Sequence, residues 1–218
     1  MSTKSVAHQV VPGAGGAESA AAQDGAVRPR DSLFHWCGTA DAIRGVTTPP
    51  EKRAILDAYF VVVAEESVPP AARFFVGAFF PPTGSGTRRI EWEIVVDAIE
   101  GLVRGGSTGL RRRCAKLGDI GSVAAEVFAG RLPSGIAMSG VGGWADDLGA
   151  ATDPDAQRRL VTDMLARLSS LEARYVVQLI VGELDIGLDP TDVAGAVETR
   201  YASSRGQRRP DRRRKRRA

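Results

Sequence analysis

Residues 169–188, SSLEARYVVQLIVGELDIGL, combine a helix start, an apolar stripe and two spaced glycines. Ser169 and Glu172 fit the Ser-x-x-Glu capping box, in which each side chain bonds the other residue's backbone N–H. The apolar residues that follow recur at three-to-four spacing, as on one face of a helix: Leu171, Tyr175, Val176, Leu179 and Ile180. This periodicity predicts an amphipathic helix that packs into a core and ends at Gly182.

The segments on either side show the same helical pattern. Thr48, Ser67 and Asp153 stand just before prolines and are predicted helix caps. Apolar residues at helical spacing then fill further stretches, at 47–66, 67–80, 90–105, 118–130, 153–168 and 190–202. Alternating strand patterns are scarce, and YFVVVA at 59–64 is the one doubtful case. The sequence therefore predicts an all-α fold, a multi-helix array.

Composition divides the chain into three segments. Residues 1–30 are rich in Ala, Gly and small polar residues and predict a disordered leader. Residues 31–204 form the predicted helical domain, in which a Gly-rich link at 139–150 leaves open whether there are one or two lobes. Residues 205–218 hold nine Arg or Lys and one Asp, and this net charge of +8 predicts a disordered basic tail.

The overall charge of +3 conceals a strong asymmetry along the chain. Subtracting the +8 of the tail leaves −5 for residues 1–204. A dense basic segment commonly attaches a protein to nucleic acid through electrostatic attraction. A nuclear-type or solubilising tail and a reading-frame accident are the alternatives for this segment.

Several classes of protein are disfavoured by what the sequence contains. Cys37 and Cys114 lie far apart without a Cys-x-x-Cys partner, and His8 and His35 form no ligand cluster. We therefore expect a reduced, cytoplasmic protein with no metal site. No apolar run approaches the roughly 20 residues that span a bilayer, so no membrane association is expected.

Four stretches resemble, in order along the chain, the N-terminal DNA-binding domain of ATP-dependent DNA ligases. They are TTPPEKRAILDAYF (47–60), ARFFVGAFFP (72–81), KLGDIGSVA (116–124) and RLSSLEARYVVQLIVGELDIGL (167–188). The resemblance runs from Phe34 to about Tyr201. It implies an all-helical module that precedes an adenylation domain and grips nicked double-stranded DNA by its backbone. It also implies a role in DNA repair, replication or recombination, and a place on the nucleoid when bound to DNA.

The resemblance places part of the DNA grip at the turn between Gly182 and Gly187. A missing Cβ lets exposed backbone N–H groups approach a phosphate oxygen closely. A helix C-cap followed by a tight turn explains Gly182 equally well without a ligand. Asp185 stands where the family usually has Arg or Lys, and with Asp189 and Asp192 it would repel phosphate.

Other basic residues are further candidates for DNA contact. Arg174 lies on the predicted helix, and Arg88 and Arg89 form a basic pair. A compact positive group comes just before the Gly-Asp-Ile-Gly turn: Arg111, Arg112, Arg113 and Lys116. An ordinary solvated surface is the alternative interpretation of each.

No catalytic residue is predicted. In the family, a lysine in a Lys-x-Asp-Gly motif attacks the α-phosphate of ATP to form lysyl-AMP. The chain has four lysines, none of them in this motif: Lys4, Lys52, Lys116 and Lys215. We therefore expect no ligation from this chain alone and no bound cofactor, because ATP and Mg²⁺ are implied only for a full-length ligase. A separate adenylation-domain protein is then a possible partner.

Two alternatives to DNA binding follow from the same residues. The helical domain without its tail is acidic, which is compatible with a protein-interaction module that holds its partner in apolar grooves. A degenerate ligase relic is the other alternative.

The three tryptophans, Trp36, Trp92 and Trp144, are predicted to be core or lobe-contact aromatics rather than base-stacking platforms.

Overall fold

The computed structural model describes residues 30–82, 89–103 and 109–207. Within these ranges the chain forms ten α-helices, one 3-10 turn at Glu65–Ser67 and no β-strand, so the predicted all-α fold is confirmed. The helices, in chain order, are α1 (Leu33–Gly45), α2 (Pro49–Val62), α3 (Val68–Phe75), α4 (Trp92–Leu102), α5 (Leu110–Leu117), α6 (Ile120–Val127), α7 (Met138–Ala150), α8 (Pro154–Leu165), α9 (Ser170–Val181) and α10 (Pro190–Gln207). Residues 1–29 of the predicted leader and 208–218 of the predicted tail lie outside the described residues.

Local capping explains where several helices begin. The Thr48 hydroxyl accepts the Glu51 N–H at 3.4 Å, and Asp153 accepts the Ala156 N–H at 2.9 Å, so these two predicted caps are confirmed. The Ser67 prediction is wrong. Its hydroxyl is buried and makes no capping hydrogen bond, because a 3-10 turn leads directly into α3 with Ser67 already in helical geometry.

Two segments that the sequence left doubtful are helical. YFVVVA at 59–64 lies mainly in the last turn of α2, where its β-branched residues continue a capped helix. The Gly-rich stretch 139–150 is not a link but most of α7, because Val141, Ala145 and Leu148 are buried at helical spacing. Gly142 supports close packing there, since a Cβ on it would lie 3.1 Å from Pro70 Cβ.

The core is one continuous cluster of buried apolar side chains, with members from all ten helices. Helix α9 lies at its centre and packs most extensively against α6. Trp36 is fully buried and contacts Phe74, Phe75 and the ring of Tyr175. The aromatic prediction therefore holds for Trp36.

The other two tryptophans are less buried. Trp144 is partly buried against the core, in agreement with its prediction. Trp92, at the start of α4, is 41% exposed, so its prediction as a core aromatic is wrong. Trp92 is the first residue of α4. The side chains that α4 buries come later in the helix and include Val95 and Val96.

The helix packing brings distant basic residues toward the turn after α9. Helix α10 packs on α2, which places the start of α2 beside residues 186–187. The segment before α4 runs against the end of α9, where the Ile90 N–H donates to the Ile180 carbonyl at 3.3 Å.

Among the described residues, no helix is long and apolar enough to span a membrane.

Candidate nucleic-acid interface

The first half of the 169–188 stretch has a structural role. The Ser169 and Glu172 capping box forms as predicted, and Glu172 is fully buried. Its carboxylate accepts hydrogen bonds from the N–H and hydroxyl of Ser134 and from the N–H and hydroxyl of Ser169, at 2.7–3.2 Å. These donors satisfy a buried carboxylate that would otherwise be costly to desolvate. The hydrogen bonds of Glu172 therefore join the start of α9 to residues 131–137, the segment that precedes α7.

The apolar stripe of α9 packs the core as predicted. Val176, Leu179 and Ile180 are buried, and Leu171 packs partly buried against the same cluster. Tyr175 is also buried, and its hydroxyl donates to Asp41 at 2.8 Å. Burial first and this carboxylate second raise the pKa of Tyr175, so the phenol stays protonated.

The two glycines adopt the conformation for which glycine is suited. Gly182 and Gly187 have φ values of 72° and 65°, in the left-handed region. The Gly182 N–H donates to the Leu179 carbonyl at 3.2 Å, as in a helix C-cap. The Gly187 N–H donates to the carboxylate of Asp185 at 2.9 Å. Both N–H groups that were candidates for phosphate therefore have acceptors within the chain, and their role in DNA contact stays a prediction.

Three of the four acidic residues at 183–192 accept hydrogen bonds from nearby backbone, and the fourth, Glu183, is exposed. Asp189 accepts the N–H and the hydroxyl of Thr191, at 2.8 and 2.7 Å, and these hydrogen bonds lower its pKa. Asp192 accepts the Asp189 N–H at 3.4 Å, and Asp185 holds Gly187. These three acids therefore stabilise the turn and the start of α10.

Two cations that the sequence did not connect with this turn lie against its glycines. The Lys52 ammonium donates to the carbonyls of Ile186 and Gly187 at 3.1 and 2.8 Å, and a Cβ on Gly187 would collide with it. A Cβ on Gly182 would lie 2.9 Å from Arg89 Nε. Arg89 was among the candidates, but nothing in the sequence placed it or Lys52 beside the turn.

The α5 group divides into paired and unpaired cations. Arg111 forms an ion pair with Asp97 of α4, and Arg113 forms one with Glu126 of α6. Arg112 and Lys116 are exposed, form no ion pair with any described residue and are four residues apart, so they share one helix face. These two side chains keep a positive charge available on α5.

Arg174 lies apart from the turn, six residues before the end of the α9 core stripe. It is partly buried, and its guanidinium lies 3.9 Å from Asp41 and 5.9 Å from the Tyr175 ring centre. Arg88 falls outside the described residues. The DNA contacts predicted for Arg174 and for the α5 group are not tested by these positions and stay predictions.

The Gly-Asp-Ile-Gly element joins α5 and α6 to α9. Asp119 caps α6 by accepting the N–H groups of Gly121 and Ser122 at 3.0 and 3.2 Å, and it accepts the Gln178 amide at 3.1 Å. Burial raises its pKa, but the hydrogen bonds from Ser122, Gln178 and the backbone outweigh burial and lower it. A Cβ on Gly121 would lie 2.7 Å from the Arg174 carbonyl oxygen. The motif therefore allows α6 and α9 to pack closely where they cross.

The described residues do not fit ATP with Mg²⁺. The Lys52 ammonium donates to two backbone carbonyls, and Lys116 is exposed on α5. The described side chains contain no group of three or more His, Cys, Asp or Glu that could hold a metal ion. The described residues therefore offer no such cluster for the Mg²⁺ that a full ligase uses with ATP.

A family model described as DNA ligase N terminus matches residues 33–198, so the chain belongs to that family.

Curated relatives agree with this family. A probable DNA ligase of Koribacter versatilis is 29% identical over 168 residues, covering 75% of this chain and 29% of the relative. A probable DNA ligase of Opitutus terrae is 26% identical over 212 residues, covering 81% of this chain and 20% of the relative. DNA ligase 1 of Methanosarcina barkeri is 28% identical over 120 residues, covering 54% of this chain and 22% of the relative. The chain thus spans less than a third of the length of these relatives.

Proposed function

We propose that this chain is the DNA-binding N-terminal portion of an ATP-dependent DNA ligase, acting in nick sealing during DNA repair, replication or recombination. It holds nicked duplex by the phosphate backbone, while an adenylation centre outside the helical domain performs the chemistry. The match of the family model over residues 33–198 carries this proposal, because it covers nearly the whole described body.

The charges of the described surface support backbone binding. Arg112 and Lys116 extend from one face of α5 without ion-pair partners in the described part of the chain. Phosphate contacts of this kind fix the position of a protein on duplex DNA and carry little base readout. Such a protein would associate with the nucleoid in a cell, and a separate adenylation-domain protein is a suitable partner for it.

Fluorescence anisotropy of a labelled nicked duplex tests the proposal. The full chain and a version ending at Ser204 are compared across a salt series. The shorter version lacks the basic tail and, of the helical body, only the last three residues of α10, so we expect it to bind with an affinity that falls steeply as salt rises. Binding that disappears with the tail, or that is absent from both versions, would contradict DNA binding by the body.

An apolar groove between α1 and α2 favours a second candidate, a protein-interaction module. The groove has a volume of about 710 Å³ and mainly apolar walls, which include Phe34, Ile55 and Tyr59. Val61, next to the groove residue Val62, is 70% exposed. An apolar interface weakens little with salt, so the same salt series separates this candidate from backbone binding.

A further inference from the structure

The turn from Gly182 to Gly187 carries positive charge that its own sequence lacks. Lys52, at the start of α2, and Arg89, before α4, each occupy the space where a glycine of the turn has no Cβ. Five positions separate the two glycines. Chain geometry therefore limits their separation to about 18 Å.

Neither cation is neutralised by a carboxylate in the described structure. Lys52 donates to two backbone carbonyls, which are neutral, so its full charge remains at the turn. Arg89 is exposed, and the ion pairs among the described residues include neither it nor Lys52. Arg53, which packs on Gly195 in the same way, is different because it pairs with Asp57 at 2.8 Å.

Asp185 and Asp189 are engaged locally rather than with these cations, and Glu183, next to Gly182, is exposed. Asp185 accepts the Gly187 N–H, and Asp189 accepts two hydrogen bonds from Thr191. The turn therefore presents two cations without ion-pair partners in the described structure, beside two carboxylates that hold backbone N–H groups and the exposed carboxylate of Glu183. A phosphate oxygen approaching the turn would meet Lys52 and Arg89 as its available charged donors.

We propose that Lys52 and Arg89 are phosphate-binding residues of the Gly182–Gly187 turn and supply the charge that Asp185 removes from it. The ligand is the phosphodiester backbone of duplex DNA, and the inference rests on the proposed function. One DNA strand carries a charge about every 3.4 Å of helix axis, and the two glycines against which the cations lie are at most about 18 Å apart. Two cations on one turn can therefore contact separate phosphates of the same strand.

The test uses charge-removing variants of the full chain. Lys52→Gln keeps an N–H donor for the two carbonyls but removes the charge, Lys52→Arg keeps the charge, and Arg89→Gln removes the second cation. Arg159→Gln is the matched control, because Arg159 is exposed on α8 and forms no ion pair in the described part of the chain. Binding to a nicked duplex is measured by anisotropy across a salt series.

We expect Lys52→Gln and Arg89→Gln each to reduce the slope of log affinity against log salt by about 0.9, the value for one lost phosphate contact. Lys52→Arg should keep the slope of the unmodified chain, and Arg159→Gln should leave it unchanged. A purely structural role for Lys52 would lower affinity at every salt concentration without changing the slope, and thermal unfolding midpoints report any loss of fold.

Two outcomes would overturn the inference in distinguishable ways. If the version ending at Ser204 binds DNA but both glutamine variants keep the full slope, this inference fails and the proposed function stands. If that version does not bind, the proposed function fails and the inference fails with it. If Arg159→Gln lowers the salt slope as much as Lys52→Gln and Arg89→Gln do, the protein attracts DNA by its net charge. That result would also contradict a specific phosphate site at the turn.

Discussion

At the scale of single residues, the motif positions that resemble a ligase signature mostly hold the fold together. Glu172 is buried and joins α9 to Ser134, a contact across 38 residues. Asp119 caps α6 and binds Gln178 of α9. These two acidic positions of the resemblance therefore have structural roles, since each joins α9 to another segment of the chain.

Asp119 provides a residue-scale prediction with a defined pH dependence. Asp119→Ala removes a helix cap and should lower the free energy of unfolding by about 1–2 kcal/mol at neutral pH. For a chain of this size that corresponds to a fall in the unfolding midpoint of a few degrees, measured by thermal denaturation. Asp163→Ala, on the exposed side of α8, is the control and should stay within about 0.5 kcal/mol of the unmodified chain.

The sign of the pH effect follows from the lowered pKa of Asp119. A carboxyl whose pKa is lower in the folded state stabilises the protein above its unfolded pKa, and this stabilisation is lost as pH falls through the folded pKa. The stability gap between Asp119→Ala and the unmodified chain should therefore be widest at neutral pH and narrow below about pH 4. A gap that widens on acidification would contradict this role of Asp119.

At the scale of elements, the crossing of α6 and α9 depends on a missing side chain. A Cβ on Gly121 would lie 2.6 Å from Gln178 Cγ and 2.7 Å from the Arg174 carbonyl oxygen. The second neighbour is backbone, so it cannot move away without shifting α9. This crossing is the most extensive helix pair in the described structure, and α9 lies at the centre of the core.

Gly121→Ala should therefore destabilise the protein, by about 1–3 kcal/mol, as expected for overpacking in a close contact. Gly143→Ala is the matched control, because Gly143 is exposed inside α7 and has open space where a Cβ would lie. Alanine has the higher helix propensity, so this control should stabilise the protein by about 0.5–1 kcal/mol. Chemical denaturation measures both changes, and equal effects of the two substitutions would contradict the packing argument.

At the scale of the whole molecule, the helices share one core. Buried apolar side chains from α1 to α10 form a single cluster, and α7 joins the helices before and after the Gly-rich stretch instead of separating them. Trp36 contacts aromatic residues of α3 and α9 from its position on α1, so segments far apart in sequence meet at one side chain.

A shared core predicts one cooperative unfolding transition. Calorimetry should give equal calorimetric and van't Hoff enthalpies, and fluorescence from the buried Trp36 should change together with the helical circular dichroism signal. Substituting the exposed Trp92 with Phe should remove fluorescence background without altering the transition, since Trp92 is 41% exposed. Two separated transitions would indicate two lobes that unfold independently.

The sequence by itself determined the all-α class and the starts of several helices. The capping box of Ser169 and Glu172 and the cap at Thr48 use partners three residues away, so local spacing contains the whole interaction. The apolar period predicted the buried face of α9 for the same reason. The glycines at 139–150 have low helix propensity, and the sequence therefore predicted a link there. The stretch is helical because tertiary packing buries three of its apolar residues at helical spacing.

Only the tertiary structure decided which charges stand together. Lys52 reaches the carbonyl of Gly187 across 135 positions of the chain, and Arg89 reaches Gly182 through the packing of the segment before α4 on α9. Asp185 alone predicts a repulsive turn, since sequence shows the charges within a segment and not those that packing adds to it. Contacts over such separations depend on how the helices close around a common core, and no local pattern specifies them.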